Sequence, residues 1–134
     1  MKKTVVESLE LKEISVDGYE KVVVVTDESV GLKAVIAIHN TTLGPALGGT
    51  RIYPYPTFEA ALTDAKRLAK GMTYKSALAG LSIGGGKSVI IGNAKTQKTL
   101  PLIQSMGKAV ETLGGRYIIA EDVGMSVEDM NQMS

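Results

Sequence analysis

Residues 71–92, GMTYKSALAGLSIGGGKSVIIG, hold two lysines in a setting that suits amine chemistry. Lys75 and Lys87 stand twelve residues apart; Gly84, Gly85 and Gly86 directly precede the second, and Val89, Ile90 and Ile91 follow it. Glycine tolerates φ > 0 and leaves room for close approach. The spacing therefore predicts a glycine turn that delivers Lys87 to the mouth of a short buried strand. An ammonium in so dry a place is costly unless paired or neutralised. Two neighbouring cations lower each other's pKa, and burial does the same. One lysine of such a pair can hold a substrate carboxylate as a plain counter-charge. The other, partly neutral near pH 7, can then act as acid or base. Asp122, just past the end of a predicted strand, can exchange protons with an amine, and Gly48 and Gly49 can bring bare peptide groups up to a ligand. The competing reading is a glycine turn with a surface lysine whose stem lies along apolar surface, the commoner fate of any one lysine. Two lysines flanking one turn speak against it without removing it.

Gly86-Lys87-Ser88 also matches the end of the phosphate-loop pattern G-x-x-x-x-G-K-S. The leading position is Leu81, however, with Gly80 one residue too early. A phosphate loop also opens a helix whose N-terminus faces the phosphate, whereas the residues after Lys87 are β-like. The match is set aside.

The elements that must hold these groups fit one domain of 134 residues. A net charge of +1 gives no electrostatic case for nucleic acid or an anionic membrane surface. With no cysteine and one histidine, His39, neither a disulfide framework nor a thiolate or histidine-rich metal site is expected. His39 reads as a hydrogen-bonded structural residue. No apolar stretch is long enough to span a bilayer, and the first residues lack a signal peptide's apolar core, so a cytoplasmic protein is expected. Glycine is 15 of 134, about 11% against roughly 7% on average, and it clusters at 44–49, 80–86 and 114–115, which marks local backbone devices.

Taken in order, residues 4–13 are read as a short helix. The β-branched run at 21–26 is a strand, and residues 32–39 pair with it as a hairpin. Residues 40–50 form a glycine-rich loop, followed by a third strand over Arg51, Ile52 and Tyr53. Thr57 caps a helix with an apolar stripe at Phe58, Ala61, Leu62, Ala65, Leu68, Ala69 and Met72, which runs on to Lys75. Thr99 caps a second helix that Gly114 and Gly115 stop. Residues 116–120 form another strand, and Ser126 caps a helix about two turns long at Ser134, which suggests a piece of something longer. Helices and strands alternating in the second half, after an antiparallel hairpin, predict an α/β fold with a mixed β-sheet flanked by helices. Ligands of such sheets gather at the carboxyl ends of the strands.

TTLGPALGGTR, RLAKGMTYKSALAG, GGGKSVIIG and GRYIIAEDVG, in this order, closely resemble the N-terminal, substrate-binding and dimerisation domain of the glutamate/leucine/phenylalanine/valine dehydrogenases, most like the leucine and phenylalanine branch. The resemblance covers nearly the whole chain. It implies NAD-dependent oxidative deamination of an L-amino acid to a 2-oxo acid and ammonia. Lys75 would bind the α-carboxylate, Lys87 would be the catalytic lysine, and Asp122 would exchange protons with the amino group. Gly48 and Gly49 would line the cleft, and Ala120 the side-chain pocket. The glutamate branch has a side-chain-binding lysine just before the paired glycines. Here that residue is Leu47, so an apolar side chain is expected and glutamate should be a poor substrate. The family's dinucleotide-binding domain has no counterpart in these residues. NAD would be bound by that missing second domain, and the isolated chain would be inactive. A homo-oligomer formed through this domain is also implied. The alternative is a stand-alone binding or assembly module with the same fold and no chemistry.

Overall fold

The computed structural model of the protein describes residues 8–115 and 117–120. Among these residues six strands form one mixed sheet in the order β1-β2-β3-β5-β4-β6. Strands β1 (Leu9–Ile14), β2 (Lys21–Asp27) and β3 (Leu32–Asn40) form an antiparallel meander. Strand β5 (Gly84–Ile91) lies antiparallel to β3 and parallel to β4 (Ala46–Tyr53), and β6 (Tyr117–Ala120) runs parallel to β4 on its other side. Helix α1 (Phe58–Leu78) covers one face of the sheet and α2 (Leu100–Glu111) the other. The expected mixed sheet flanked by helices is the architecture found.

Both helices begin as the sequence predicts. The Thr57 hydroxyl accepts from the Ala60 amide and the Thr99 hydroxyl from the Leu102 amide, each satisfying a donor that the first helical turn leaves free. After α2 the chain turns through Gly114 and Gly115, at φ of 62° and 85°. Helix α1 buries Ala61, Ala65 and Ala69 at four-residue steps against Val22, Val35, Ala37 and Val89. With only alanine methyl groups fully buried along this stretch of the helix, it comes close to the sheet. It rests on β5 and β3 and only grazes β4. The larger core lies beneath α2, where Leu102, Ile103, Met106 and Ala109 meet Val23, Val25, Ile36, Ile38 and Ile90.

Three stretches depart from expectation. The described part of the expected helix at 4–13 is strand β1, paired from Leu9 with Asp27 to Ile14 with Val22. Its LELKEI alternation has the period of a strand, and pairing with β2 decides it. The expected loop at 40–50 ends by Ala46, because β4 is paired on both sides from there. The glycine triplet before Lys87 is no turn. Gly84, Gly85 and Gly86 are the first three residues of β5, and none has positive φ. Their missing side chains serve approach instead. A Cβ on Gly85 would lie 2.2 Å from the Thr73 amide nitrogen of α1, and one on Gly86 would lie 2.8 Å from the Tyr117 ring. Lys87 is accordingly mid-strand. The helix expected from Ser126 lies outside the described residues.

Candidate functional site

Lys87 occupies the centre of the sheet, opposite Ala37 of β3. Gly85 turns its α-carbon towards α1, so by strand alternation Lys87 shares the α1 face with Val89. Its side chain is only 5% exposed. Burial, and next the positive charge of Arg51, lower its pKa to about 8; the carboxylate of Asp64 works in the opposite direction. The sequence reading set Lys75 against Lys87 as the neighbouring cation. Among the described residues the cation that acts on Lys87 is Arg51.

Three parallel strands bring the other candidates to the same level. Leu47 pairs with Gly85 and Thr50 with Ser88, which puts Gly49 beside Lys87. Gly49 in turn pairs with Ala120 of β6. Lys87, Gly49 and Ala120 thus form a row across β5, β4 and β6. Leu47, half-buried, stands one step back on the same face as Gly49, beside Gly85. Because α1 rests on β5 and β3, the α1-side face of β4 is left largely uncovered by that helix.

Gly48 faces the opposite way, and a Cβ there would lie 1.6 Å from the Gly86 carbonyl oxygen. Beneath it lies a chain of hydroxyls that the sequence reading missed. Thr50 Oγ1 is 2.7 Å from Ser88 Oγ, which is 3.0 Å from Tyr117 Oη. Tyr117 Oη reaches the carbonyl oxygens of Gly48 at 3.3 Å and Gly49 at 3.2 Å. Burial holds the phenol well above its ordinary pKa, so it stays a donor to those carbonyls. The only sequence signal was a pair of small polar residues, Thr50 and Ser88, inside strands of mostly glycine and apolar residues.

A second missed cluster joins β4 to α1. Arg51 Nη1 lies 3.1 Å from Asp64 Oδ2, Tyr55 Oη donates to the same oxygen at 2.5 Å, and Arg67 Nη2 donates to Oδ1 at 2.7 Å. Burial raises the Asp64 pKa, but the donors Tyr55 and Arg67 and the two guanidinium charges outweigh it and leave it lowered. Burial, and then Asp64, push the Tyr55 phenol well above its ordinary range.

Lys75 is exposed in the last turn of α1, two residues beyond Thr73, whose backbone rests on Gly85. No described hydrogen bond or ion pair joins it to Lys87. Asp122 lies outside the described residues, as does the side chain of Ala120. His39 Nδ1 sits 2.8 Å from Thr73 Oγ1, and its ring meets Tyr19 edge-on at 4.9 Å, an anchor between β3 and α1. No described helix is long and apolar enough to cross a membrane, and no cluster of metal-ligating side chains occurs among the described residues.

A buried lysine on a glycine-lined central strand, in a mixed sheet of this order, belongs to a known class of domain. The family model described as Glu/Leu/Phe/Val dehydrogenase, dimerisation domain, matches residues 19–134, and the chain belongs to that family. It is 58% identical over 113 residues to leucine dehydrogenase of Bacillus subtilis (strain 168), a match covering 84% of this chain and 31% of that protein. It is 56% identical to valine dehydrogenase of Streptomyces virginiae, over 85% of this chain and 32% of that protein. The crystal structure of L-tryptophan dehydrogenase from Nostoc punctiforme superposes with a TM-score of 0.84 at 49% identity, covering 87% of this chain and 35% of that one. A hetero-hexameric glutamate dehydrogenase from Thermus thermophilus shares the fold, with a TM-score of 0.69 at 23% identity. The chain spans about a third of the length of these relatives.

Proposed function

We propose that this chain is the amino-acid-binding part of an NAD-dependent dehydrogenase that reversibly deaminates an apolar L-amino acid to a 2-oxo acid and ammonia. The observation that carries the reading is Lys87, 5% exposed on the central strand with its pKa lowered to about 8. At pH 7 about a tenth of such a lysine is neutral, against less than a thousandth of an ordinary one. It can then accept a proton from an attacking water or polarise a carbonyl as an ammonium, with little driving force needed in either direction. In this reading Lys75 holds the α-carboxylate and Asp122 exchanges protons with the amino group. Gly48 and Gly49 give the substrate a bare peptide floor, held from below by Tyr117.

Leu47 and Ala120 surround the substrate's side chain in this reading. An acidic side chain beside Leu47 would be a buried charge without a partner, which costs several kcal/mol. The leucine and valine dehydrogenases among the relatives support an aliphatic substrate.

The nicotinamide that dehydrogenase relatives imply does not fit the described residues. Dinucleotide phosphates sit on a glycine-rich turn between a strand and a helix N-terminus. Here β4 leads to α1 through Pro54, Tyr55, Pro56 and Thr57, and β5 to α2 through residues 92–99, neither with the G-x-G-x-x-G pattern. We assign cofactor binding to chain beyond this domain. The description of the family model as a dimerisation domain supports self-association through this domain. We expect a protein with a metabolic role of this kind in the cytoplasm.

The test is turnover of the complete protein that carries this domain, with NAD and a panel of L-leucine, L-valine, L-phenylalanine and L-glutamate. The apolar substrates should turn over and glutamate should not. Lys87→Ala should lower kcat by about 10²–10⁴, the usual share of general acid–base catalysis. Near-normal turnover by that variant rejects the role of Lys87, and absence of any deamination points to the binding module instead.

A further inference from the structure

Lys87 is tuned, and the described groups that tune it were not among the residues singled out in the sequence. We propose that the Arg51–Asp64 pair, braced by Tyr55, adjusts the charge state that burial gives Lys87, with Asp64 as the positioning residue. The proposal rests on the role given to Lys87 above.

The geometry places the pair beside the lysine. Arg51 follows Gly49, the residue level with Lys87, by two positions on β4, so both point to the α1 face. Asp64 reaches from α1 towards that strand and holds the guanidinium at 3.1 Å. The two side chains are 24% and 17% exposed, so solvent screens them far less than it would a surface pair. Tyr55 occupies the same carboxylate oxygen as Arg51, and Arg67 takes the other. Asp64 is thereby fixed from three sides.

The other described elements packed against β5 on this face are β3 and α1. On β3 the residue opposite is Ala37, and the next residue on that face, His39, is turned to Thr73. On α1, Lys75 stands in the exposed last turn. Among the described residues, Arg51 disfavours the ammonium of Lys87 and Asp64 favours it. Asp64 plays two parts at once. It supplies the opposing charge, and it draws the Arg51 guanidinium towards α1.

A merely structural ion pair, tying β4 to a helix that otherwise grazes it, predicts something different. Loss of either partner would then loosen the same contact and act in the same direction. Tuning predicts opposite signs. Asp64→Asn leaves Arg51 uncompensated and should move the Lys87 titration to lower pH. Arg51→Gln removes the disfavouring cation and should move it to higher pH.

The experiment is competitive labelling of the complete protein with acetic anhydride across pH 6–11, read at the Lys87 peptide by mass spectrometry. Only the neutral amine reacts, so the labelling midpoint reports the lysine itself. We expect the midpoint to fall by about half a pH unit or more in Asp64→Asn, to rise by about as much in Arg51→Gln, and to return in Asp64→Glu. Midpoints that stay put, or move the same way in both variants, overturn the proposal. Thermal unfolding checks that each variant is folded. Should Arg51→Gln fail to fold, Arg51→Lys takes its place. Keeping the charge without the planar fork, it must leave the midpoint low, and a return to an ordinary lysine midpoint counts against the proposal. The pH profile of kcat/KM for the preferred amino acid is measured on the same variants. If labelling midpoints split as expected and the kinetic profile does not follow them, the tuning stands and the catalytic role of Lys87 falls.

Discussion

Lys87 should weaken the fold that holds it, and the size of that effect follows from its pKa. Replacing it with Met keeps a long unbranched stem and removes the amine. The unfolded chain carries an ordinary lysine near 10.5, and the folded protein one near 8. Below pH 8 both states are protonated, and the folded state bears the full penalty of a buried ammonium. Between 8 and 10.5 the unfolded state binds more protons than the folded one, so stability rises with pH; above 10.5 both are neutral and the penalty is gone. At roughly 1.36 kcal/mol per pH unit the penalty is about 3 kcal/mol, and relaxation of the surroundings around a buried charge reduces it to about 2. Lys87→Met should therefore be about 2 kcal/mol more stable than the parent at pH 7, by urea unfolding of both proteins. The difference should shrink to near zero by pH 10.5. Taking the difference between variant and parent cancels the tyrosines and other lysines that titrate in that range. A variant less stable at pH 7, or one whose gain is the same at both pH values, refutes the reasoning.

Gly48→Ala would place a Cβ 1.6 Å from the Gly86 carbonyl oxygen and 2.4 Å from its carbon, and both are backbone atoms of the paired strand. We expect a loss at the upper end of overpacking costs, about 3 kcal/mol, seen as a fall of about 10 °C in Tm. An unchanged Tm would show that β4 can move off β5 freely. Gly71→Ala is the matched control: it lies within α1 with nothing within 4 Å of an added Cβ, and should gain about 0.5–1 kcal/mol. Leu47→Lys in the complete protein should raise kcat/KM for L-glutamate relative to L-leucine. Unchanged selectivity would remove Leu47 from the substrate pocket.

How far the sequence revealed this depended on what each residue encodes by itself. The caps Thr57 and Thr99, the Gly114-Gly115 stop and the β-branched run of β2 are local signals, and local chemistry decides them. Strand β1 and the first halves of β4 and β5 are different. Glycines carry no preference for extension, so Gly48, Gly49 and Gly84 to Gly86 read as loop and turn. Pairing with neighbours from distant parts of the chain makes them strand. The same gap hid the groups around Lys87. The lysine itself stood out, because a cation between glycines and an apolar run is improbable by composition. That Arg51 would be its neighbouring cation requires knowing that β4 lies beside β5 and that α1 crosses back over the sheet. With residues 40–50 read as loop, strand alternation could not put Gly49 and Arg51 on one face.

The dryness of Lys87 and the thinness of the α1 seam beside it have one origin. Gly85 lets the backbone of α1 settle onto β5 at Thr73, and Ala37, Ala61, Ala65 and Ala69 keep the rest of the seam equally thin. A helix that close leaves little room for water over the middle of β5, and burial is the largest influence on the Lys87 pKa. On the other face, Gly86 leaves room for the Tyr117 ring, whose hydroxyl fixes the Gly48 and Gly49 carbonyls from below. The floor of the proposed cleft is thus pinned by hydrogen bonds from the α2 side, while its lysine is desolvated from the α1 side. Small residues on the two faces of β5 therefore do separable work. Widening the α1 seam should wet Lys87 and return it towards an ordinary lysine without moving Gly48 or Gly49. Loss of the Tyr117 hydroxyl should loosen those glycines and leave the charge of Lys87 as it is. A site built this way can have its reactivity and its substrate geometry altered one at a time.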